Sequence, residues 1–369
     1  GAQTYAASTA VALLITALTG NPGTEMFLGM TGVMWVSFIF VSAFQVYLFW
    51  QGIDLVRKFL NFAGPAVYVV MVILMIAIWA EVGGSLLSEV GNIFSSGNRT
   101  GGFEGLGSFG AFLAVFSIMV GYFAAVVINF GDFARFVKNE EEMKKGNLYG
   151  LVGNVIFFSF ITLMITGGTI ALFGEYVAQP TDMVAKVDNI FLTVVAAFAF
   201  FAATVGINMV ANFIPPAYDL ANLYPSKINF RTGGLITAAF GFVIGGMWVA
   251  VITKMGIFPF VNTLGAILAP VFGIMITDYY IIKKQKLDVN ALFKDGKGKY
   301  WYNDGFNLKG MVAWILSGYI AIGSVWPNIL PGGLGNFFAN LGGGGGYAWI
   351  IGAALGAIVH LAISSAGKK

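Results

Sequence analysis

The sequence predicts an all-α integral membrane protein, on three observations: an apolar composition, ten long apolar runs, and basic residues confined to every second spacer. Hydrophobic residues make up 58% of the chain and charged ones 10%, against about 25% charged in an average soluble protein. Seventeen acids and twenty bases cannot coat a soluble core built from 369 residues, so the apolar excess faces lipid. The runs cover residues 3–18, 29–49, 64–80, 109–130, 148–173, 190–214, 233–252, 257–282, 311–330 and 347–365. Most approach the roughly 20 residues that a spanning helix needs. All exceed the ~10-residue alternating strands of a membrane barrel, so the spans are helices whose backbone groups are satisfied internally.

The spacers carry nearly all the charge and the turn signals, among them Asn21-Pro22-Gly23, Asn139-Glu140-Glu141-Glu142 and the glycines from Gly342 to Gly346. If the first helix leaves the cytoplasm, the inside spacers hold Arg57 and Lys58, then Arg135, Lys138, Lys144 and Lys145, then Lys227 and Arg231. They also hold the bases from Lys283 to Lys309, and finally Lys368 and Lys369. Seventeen bases then lie inside and only Arg99, Lys186 and Lys254 outside, a strong positive-inside signal that puts the C-terminus in the cytoplasm. The acids divide almost evenly and carry no such information. Residues 283–309 form the longest polar stretch, a cytoplasmic loop too short for a core of its own, so residues 1–369 read as a single transmembrane domain. Gly241–Gly245 and Gly352–Gly356 have the spacing of close helix contacts, a weak signal among fifty glycines. Gly1-Ala2-Gln3-Thr4 runs straight into an apolar helix with no initiator Met and no cleavage site, which reads as an internal start.

Function is sought among polar groups at membrane depth, where they are costly. With no cysteine and one histidine, His360, the chain lacks the residues for disulfides, thiolate sites or multi-histidine metal clusters. No nucleophile–base pair or cofactor loop appears, so the sequence points away from an enzyme, from a cofactor and from nucleic acid. Three groups remain. Gln3 and Thr4 open the first run, where from the residues alone an interfacial helix end explains them better than a binding role. Ser117 to Phe123 places Gly121 beside Tyr122 and Phe123 in mid-helix, with Asn129 and Asp132 following; a broken helix with freed backbone groups and ring faces suits a flat ligand, and ordinary aromatic packing fits as well. Asn208 and Asn212 are four apart, hence on one helix face, ahead of Pro215-Pro216. Two amides there match the imide or ureide edge of a heterocycle, or an interhelical hydrogen bond. His360 reads as a packed histidine, and Asp278 as a cap or ion-pair partner at the cytoplasmic rim. Asn98-Arg99-Thr100 has the form of an acceptor sequon on an outside loop.

Three motifs follow in order: Gly131-Asp132-Phe133-Ala134-Arg135-Phe136, Ala211-Asn212-Phe213-Ile214-Pro215-Pro216-Ala217-Tyr218-Asp219-Leu220, and Ile276-Thr277-Asp278-Tyr279-Tyr280. With Tyr300-Trp301-Tyr302 they resemble the nucleobase:cation symporter-1 family of purine, cytosine, uracil, allantoin and hydantoin permeases, over residues 3 to about 307. The resemblance implies the leucine-transporter-type fold of two inverted five-helix repeats. It sets Gly1 inside the third of twelve helices, so that ten are present and two would precede them. It implies a substrate-binding glutamine at Gln3, a ring-stacking aromatic at Phe123 beside Gly121 and Tyr122, and amide ligands at Asn208 and Asn212. For a coupling cation it implies a backbone carbonyl at Ala203 and hydroxyls at positions that hold Gly206 and Ile207 here. Those hydroxyls are missing and Thr204 is the nearest replacement, which leaves Na+ or H+ as the coupling ion. The function implied is import of uracil, allantoin, hydantoin or a related base by cation-coupled alternating access across the plasma membrane. The alternative is an uncoupled channel or facilitator.

Overall fold

A computed structural model describes residues 1–95, 105–175, 177, 180–186, 190–292, 294, 296 and 298–366. The sequon at 98–100, Arg99, Lys297 and the C-terminal lysines lie outside them. The long helices are α1 (Ala2–Thr19), α2 (Gly32–Gln51), α3 (Ile53–Val82), α4 (Ser85–Ser95), α5 (Ser108–Tyr122), α6 (Glu140–Phe173), α7 (Ile190–Leu223), α8 (Phe230–Gly246), α9 (Ile257–Ile282), α10 (Leu308–Val325) and α11 (Ala348–Ala366).

Eight of these are long and apolar enough to cross a membrane, and α8 with Trp248–Met255, bent from it by 54°, makes a ninth. The sequence expectation of ten differs at 109–130. There α5 has 15 residues and is followed by the five-residue pieces Ala124–Ile128 and Phe130–Ala134. The third span also differs, because α3 starts at Ile53, three turns ahead of the expected Gly64. An acid in the first turn complements the helix dipole, and Asp54 meets Arg57 at 3.1 Å one turn on, so this charged stretch is helix and not loop.

A two-stranded hairpin (β1 Glu25–Phe27, β2 Met30–Thr31) joins α1 to α2, which the all-α expectation had not included. Its turn residues Leu28 and Gly29 both have positive φ, at 51° and 77°, as a tight primed turn requires. The Trp35 indole N–H donates to the Phe27 carbonyl at 2.9 Å and ties the hairpin to α2.

The chain divides into two compact units. The first holds residues 1–97 and 131–254. One of its apolar cores gathers Leu74, Leu86, Ile161 and Phe200 from α3, α4, α6 and α7. Another gathers Ala7, Val41, Phe49, Val205 and Met209 from α1, α2 and α7. The second unit holds residues 98–130 and 255–369, where small residues let the helices meet. A Cβ on Gly356 would stand 2.5 Å from the Pro270 carbonyl oxygen, and one on Gly273 only 2.0 Å from that of Ala353. The Gly352–Gly356 spacing is therefore a real α9–α11 contact, of the small-residue kind that membrane helices use. In the first unit Gly245 likewise seats the Phe38 ring, 2.7 Å from where its Cβ would be. Outward, large apolar side chains such as Phe191 (76% exposed) and Phe109 (72%) face the surroundings, as lipid-facing positions do.

Candidate functional site

Asn208 and Asn212 sit where α7 changes its winding. Residues Met209–Phe213 form a π stretch, in which the Ile214 N–H reaches back to the Met209 carbonyl. Pro215 and Pro216 cause this locally. Neither can donate a hydrogen bond, and in a regular helix each ring would press on the carbonyl four residues back, at Ala211 and Asn212. A wider turn relieves the clash, and such turns recur at functional sites.

The amides are joined into a network. The Asn212 Nδ2 donates to Asn208 Oδ1 at 2.9 Å. The Asn208 Nδ2 donates to Gln45 Oε1 at 2.9 Å and to Thr4 Oγ1 at 3.1 Å. The Thr4 hydroxyl donates to Gln45 Oε1 at 3.1 Å. Asn208, Thr4 and Gln45 are buried and Asn212 is exposed. All four line a cavity of about 1010 Å³ within the first unit, together with Ser42, Tyr47, Trp50 and Thr237. Gln45, on α2, went unremarked in the sequence, although a lone amide amid apolar residues was signal enough. Its Nε2 has no hydrogen-bond partner. An orphaned donor of this kind costs about 1–3 kcal/mol, whereas interhelical polar bonds in membranes return about 0.6 kcal/mol each. Two such bonds to Oε1 barely offset the orphan, so holding helices together is a poor reason for a glutamine here.

Gln3 precedes Thr4 on α1, about 100° round the helix. It is half-buried and is not among the cavity-lining residues. The aromatic group lies in the second unit. There α5 ends at Tyr122, and Phe123 takes φ −92° and ψ 9° before the helix resumes at Ala124. The Phe123 N–H still donates to the Met119 carbonyl at 3.2 Å and its carbonyl accepts from the Val127 N–H at 3.0 Å, so the helix is distorted here while both backbone groups of Phe123 stay bonded. The Tyr122 and Phe123 rings meet edge to face at 5.1 Å and both are largely exposed. Gly121 is buried against the Gly265 backbone.

At the positions the resemblance assigned to a cation, Gly206 is buried, with Leu60 Cδ2 2.9 Å from where a Cβ would stand. Ile207 is 57% exposed. Among Ala203, Thr204, Gly206 and Ile207, only Thr204 carries a side-chain oxygen. Glycine here serves close packing of α7 on α3, and a hydroxyl is what it leaves out.

Asp278 is an ion-pair partner. Its Oδ2 lies 2.5 Å from Lys283 Nζ and its Oδ1 3.5 Å from Nε2 of the buried His360. Burial alone would lower the Lys283 ammonium, but hydrogen bonds to Asp278 and Tyr302 and the Asp278 charge outweigh it and hold Lys283 above its ordinary value of 10.5. The Tyr302 hydroxyl accepts from Lys283 at 3.3 Å, and the Tyr300 hydroxyl accepts from the Asp288 N–H at 3.0 Å. The aromatic triplet thus anchors its loop. Because the lysine is raised, its contribution to stability is complete below the ordinary lysine range and is lost only as pH climbs through the folded value. Asp278→Asn is expected to cost about 1–3 kcal/mol at neutral pH in thermal unfolding of the purified protein. A change below a few tenths would mean the pair is decorative.

Two of the three motifs meet in space. Asp132 pairs with Arg135 at 2.6 Å, and the Arg135 guanidinium lies 4.5 Å over the Tyr218 ring.

Comparison with known proteins fits this geometry. The family model described as "Permease for cytosine/purines, uracil, thiamine, allantoin" matches residues 1–352. An allantoin permease of Bacillus subtilis is 32% identical over 89% of this chain and 66% of its own length. A purine-uracil permease of Arabidopsis thaliana is 26% identical over 80% of this chain and 48% of its own. This chain therefore spans two thirds or less of those relatives. The nucleobase-cation-symport-1 transporter MHP1, solved closed with bromovinylhydantoin bound, superposes with a TM-score of 0.71 at 21% identity, covering 98% of this chain and 72% of MHP1. That likeness shows the fold: a helical, multi-pass membrane protein of the leucine-transporter type. With the motifs, the membrane helices and the match over 1–352 in agreement, this chain belongs to the family of permeases for cytosine and purines, uracil, thiamine and allantoin.

Proposed function

We propose that this protein is a secondary active transporter that imports a nucleobase-like heterocycle, such as uracil, allantoin or hydantoin, across the plasma membrane by cation-coupled alternating access. The observation that carries the reading is the chain of amides from Gln45 through Asn208 to Asn212, opening on a cavity inside a lipid-embedded scaffold. Amides of this kind match the alternating N–H and C=O edge of such rings. The names of the relatives point to the same substrates. In this reading Asn212 contacts the polar edge and Asn208 holds it in place; the resemblance assigns Gln3 to the same edge, from outside the cavity lining. The resemblance alone assigns ring stacking to Phe123, beside Gly121 and Tyr122. The family resemblance supports those roles. The basic loop at 283–309 and the C-terminus face the cytoplasm under the positive-inside rule.

The coupling ion is Na+ or H+, and the residues favour H+. A sodium site wants several hard oxygens, and Gly206 and Ile207 provide none from their side chains. Uptake of radiolabelled uracil, allantoin, hydantoin and cytosine by proteoliposomes carrying the purified chain tests both points. One compound is expected to accumulate, with accumulation collapsing in a protonophore and surviving replacement of sodium by choline. Uptake that only equilibrates, without accumulation, and survives both treatments favours an uncoupled facilitator, for which the missing hydroxyls are the supporting observation. Uptake of none of the four sinks the substrate class.

A further inference from the structure

We propose that Gln45 is a positioning residue that sets the donor–acceptor polarity of the substrate site, so that Asn212 presents an acceptor and the transported ring must offer it an N–H. The inference rests on the transport reading above and goes beyond it, because it says which edge of the ring is read and by what device.

Gln45 Oε1 accepts two hydrogen bonds, from the Thr4 hydroxyl at 3.1 Å and from Asn208 Nδ2 at 2.9 Å. A carbonyl oxygen in that place is met by the amino end of Asn208, so the Asn208 amide turns over only if Gln45 turns with it. Its Oδ1 then points along the helix and takes the Nδ2 of Asn212 at 2.9 Å. One of the two Asn212 N–H groups is committed to that bond, which turns the amino end toward Asn208 and leaves the oxygen, at the other end of the amide, as the wholly unused group that Asn212 offers. Asn212 is also the exposed member of the chain, while Gln45 and Asn208 are buried to 0% and 1%. Buried groups thus fix orientation and the exposed one does the reading. An amide is ordinarily ambivalent, since either end can face a ligand; the relay removes that ambivalence. The chemical class selected is a planar ring with an N–H on its polar edge, as in an imide or ureide, over one that offers only an acceptor nitrogen or an N-methyl group there.

The test is competition against radiolabelled uracil and hydantoin uptake in proteoliposomes, using each ring methylated at one or the other nitrogen. In the unaltered chain, one methyl isomer of each ring is expected to compete at least tenfold less well than the parent, and the other isomer nearly as well. Gln45→Met keeps the volume and removes the acceptor. It frees both asparagines to turn, and the gap between isomers is expected to shrink below threefold while uptake persists. Gln45→Glu keeps an acceptor and is expected to keep the gap. Should Gln45→Met not reach the membrane, Thr4→Val removes the other group that holds Asn208, and a smaller narrowing is expected. A gap that survives both Gln45→Met and Thr4→Val, or that Gln45→Glu abolishes equally, overturns the inference. Failure of the unaltered chain to take up any heterocycle is a separate result, which overturns the transport reading and this inference together.

Discussion

Asn212→Ala is expected to lower accumulation of the transported heterocycle by about tenfold or more, equivalent to about 1.4 kcal/mol, and to leave the protein almost as stable as before. Two magnitudes separate here. Asn212 donates one network bond within α7, worth about 0.2–0.5 kcal/mol as a pair four residues apart on one helix, and its exposed position means that no buried cavity opens. Against a ligand, losing the group that reads a polar edge leaves the ring's own donor unpaired in a desolvated site, which costs about 1–3 kcal/mol. Asn208→Leu should behave differently. It removes all three bonds of the hub, leaving Thr4 and Gln45 only each other and Asn212 without its acceptor, so both stability and transport fall. Uptake assays paired with thermal unfolding of each variant separate the cases. If Asn212→Ala unfolds the protein as badly as Asn208→Leu, the amide pair is structural and the substrate lies elsewhere.

The second large effect belongs to the other unit. Gly273→Leu should deny the protein its α9–α11 contact, with folded yield largely lost. A Cβ at 273 would stand 2.0 Å from a backbone oxygen of Ala353, and backbone cannot swing aside as a side-chain tip can. Overpacking in a well-packed core costs about 1–3 kcal/mol and occasionally more; here the obstruction is a main-chain carbonyl and the residue added is large, which puts the cost at the upper end. Gly318→Ala is the control, since its nearest neighbours would lie 4.0 Å away. Size-exclusion profiles of detergent-solubilised variants give the answer. Equal behaviour of the two would show that α9 and α11 can slide apart without penalty.

What could be read from the residues beforehand follows from where the signals are strong. A polar side chain in an apolar run is conspicuous because burying it is costly, so Asn208 and Asn212 stood out, as did the glycine and aromatics at the end of α5. Gln45 carries the same signal and was passed over because its neighbours Phe44 and Val46 look like ordinary lipid-facing residues. Its importance is visible only when Thr4 and Asn208, 41 and 163 positions away, close on it. The hairpin at Glu25–Thr31 has strands of three and two residues, too short for any alternation to register. At the start of α3, Asp54 and Arg57 read as loop charges until their spacing is seen to suit a helical turn. The Arg135–Tyr218 contact joins two motifs that the sequence displays separately, and nothing local to either announces the other.

The π stretch at Met209–Phe213 has one more consequence, for register. A wide turn spends about one residue more than a regular helix needs, and one residue is about 100° of rotation. Everything after Phe213 therefore points to a different side of α7 than an unbroken helix would give it, including the Tyr218 that receives Arg135. Rewinding residues 209–213 as regular α turns would leave the sequence untouched, yet it would turn the C-terminal third of the helix away from its partners by about 100°. The two prolines act as the guard against that slip, because a tightened turn would drive their rings into the carbonyls behind them. The phase of the helix beyond the amide pair is thus set by two residues that have no side-chain polar group at all.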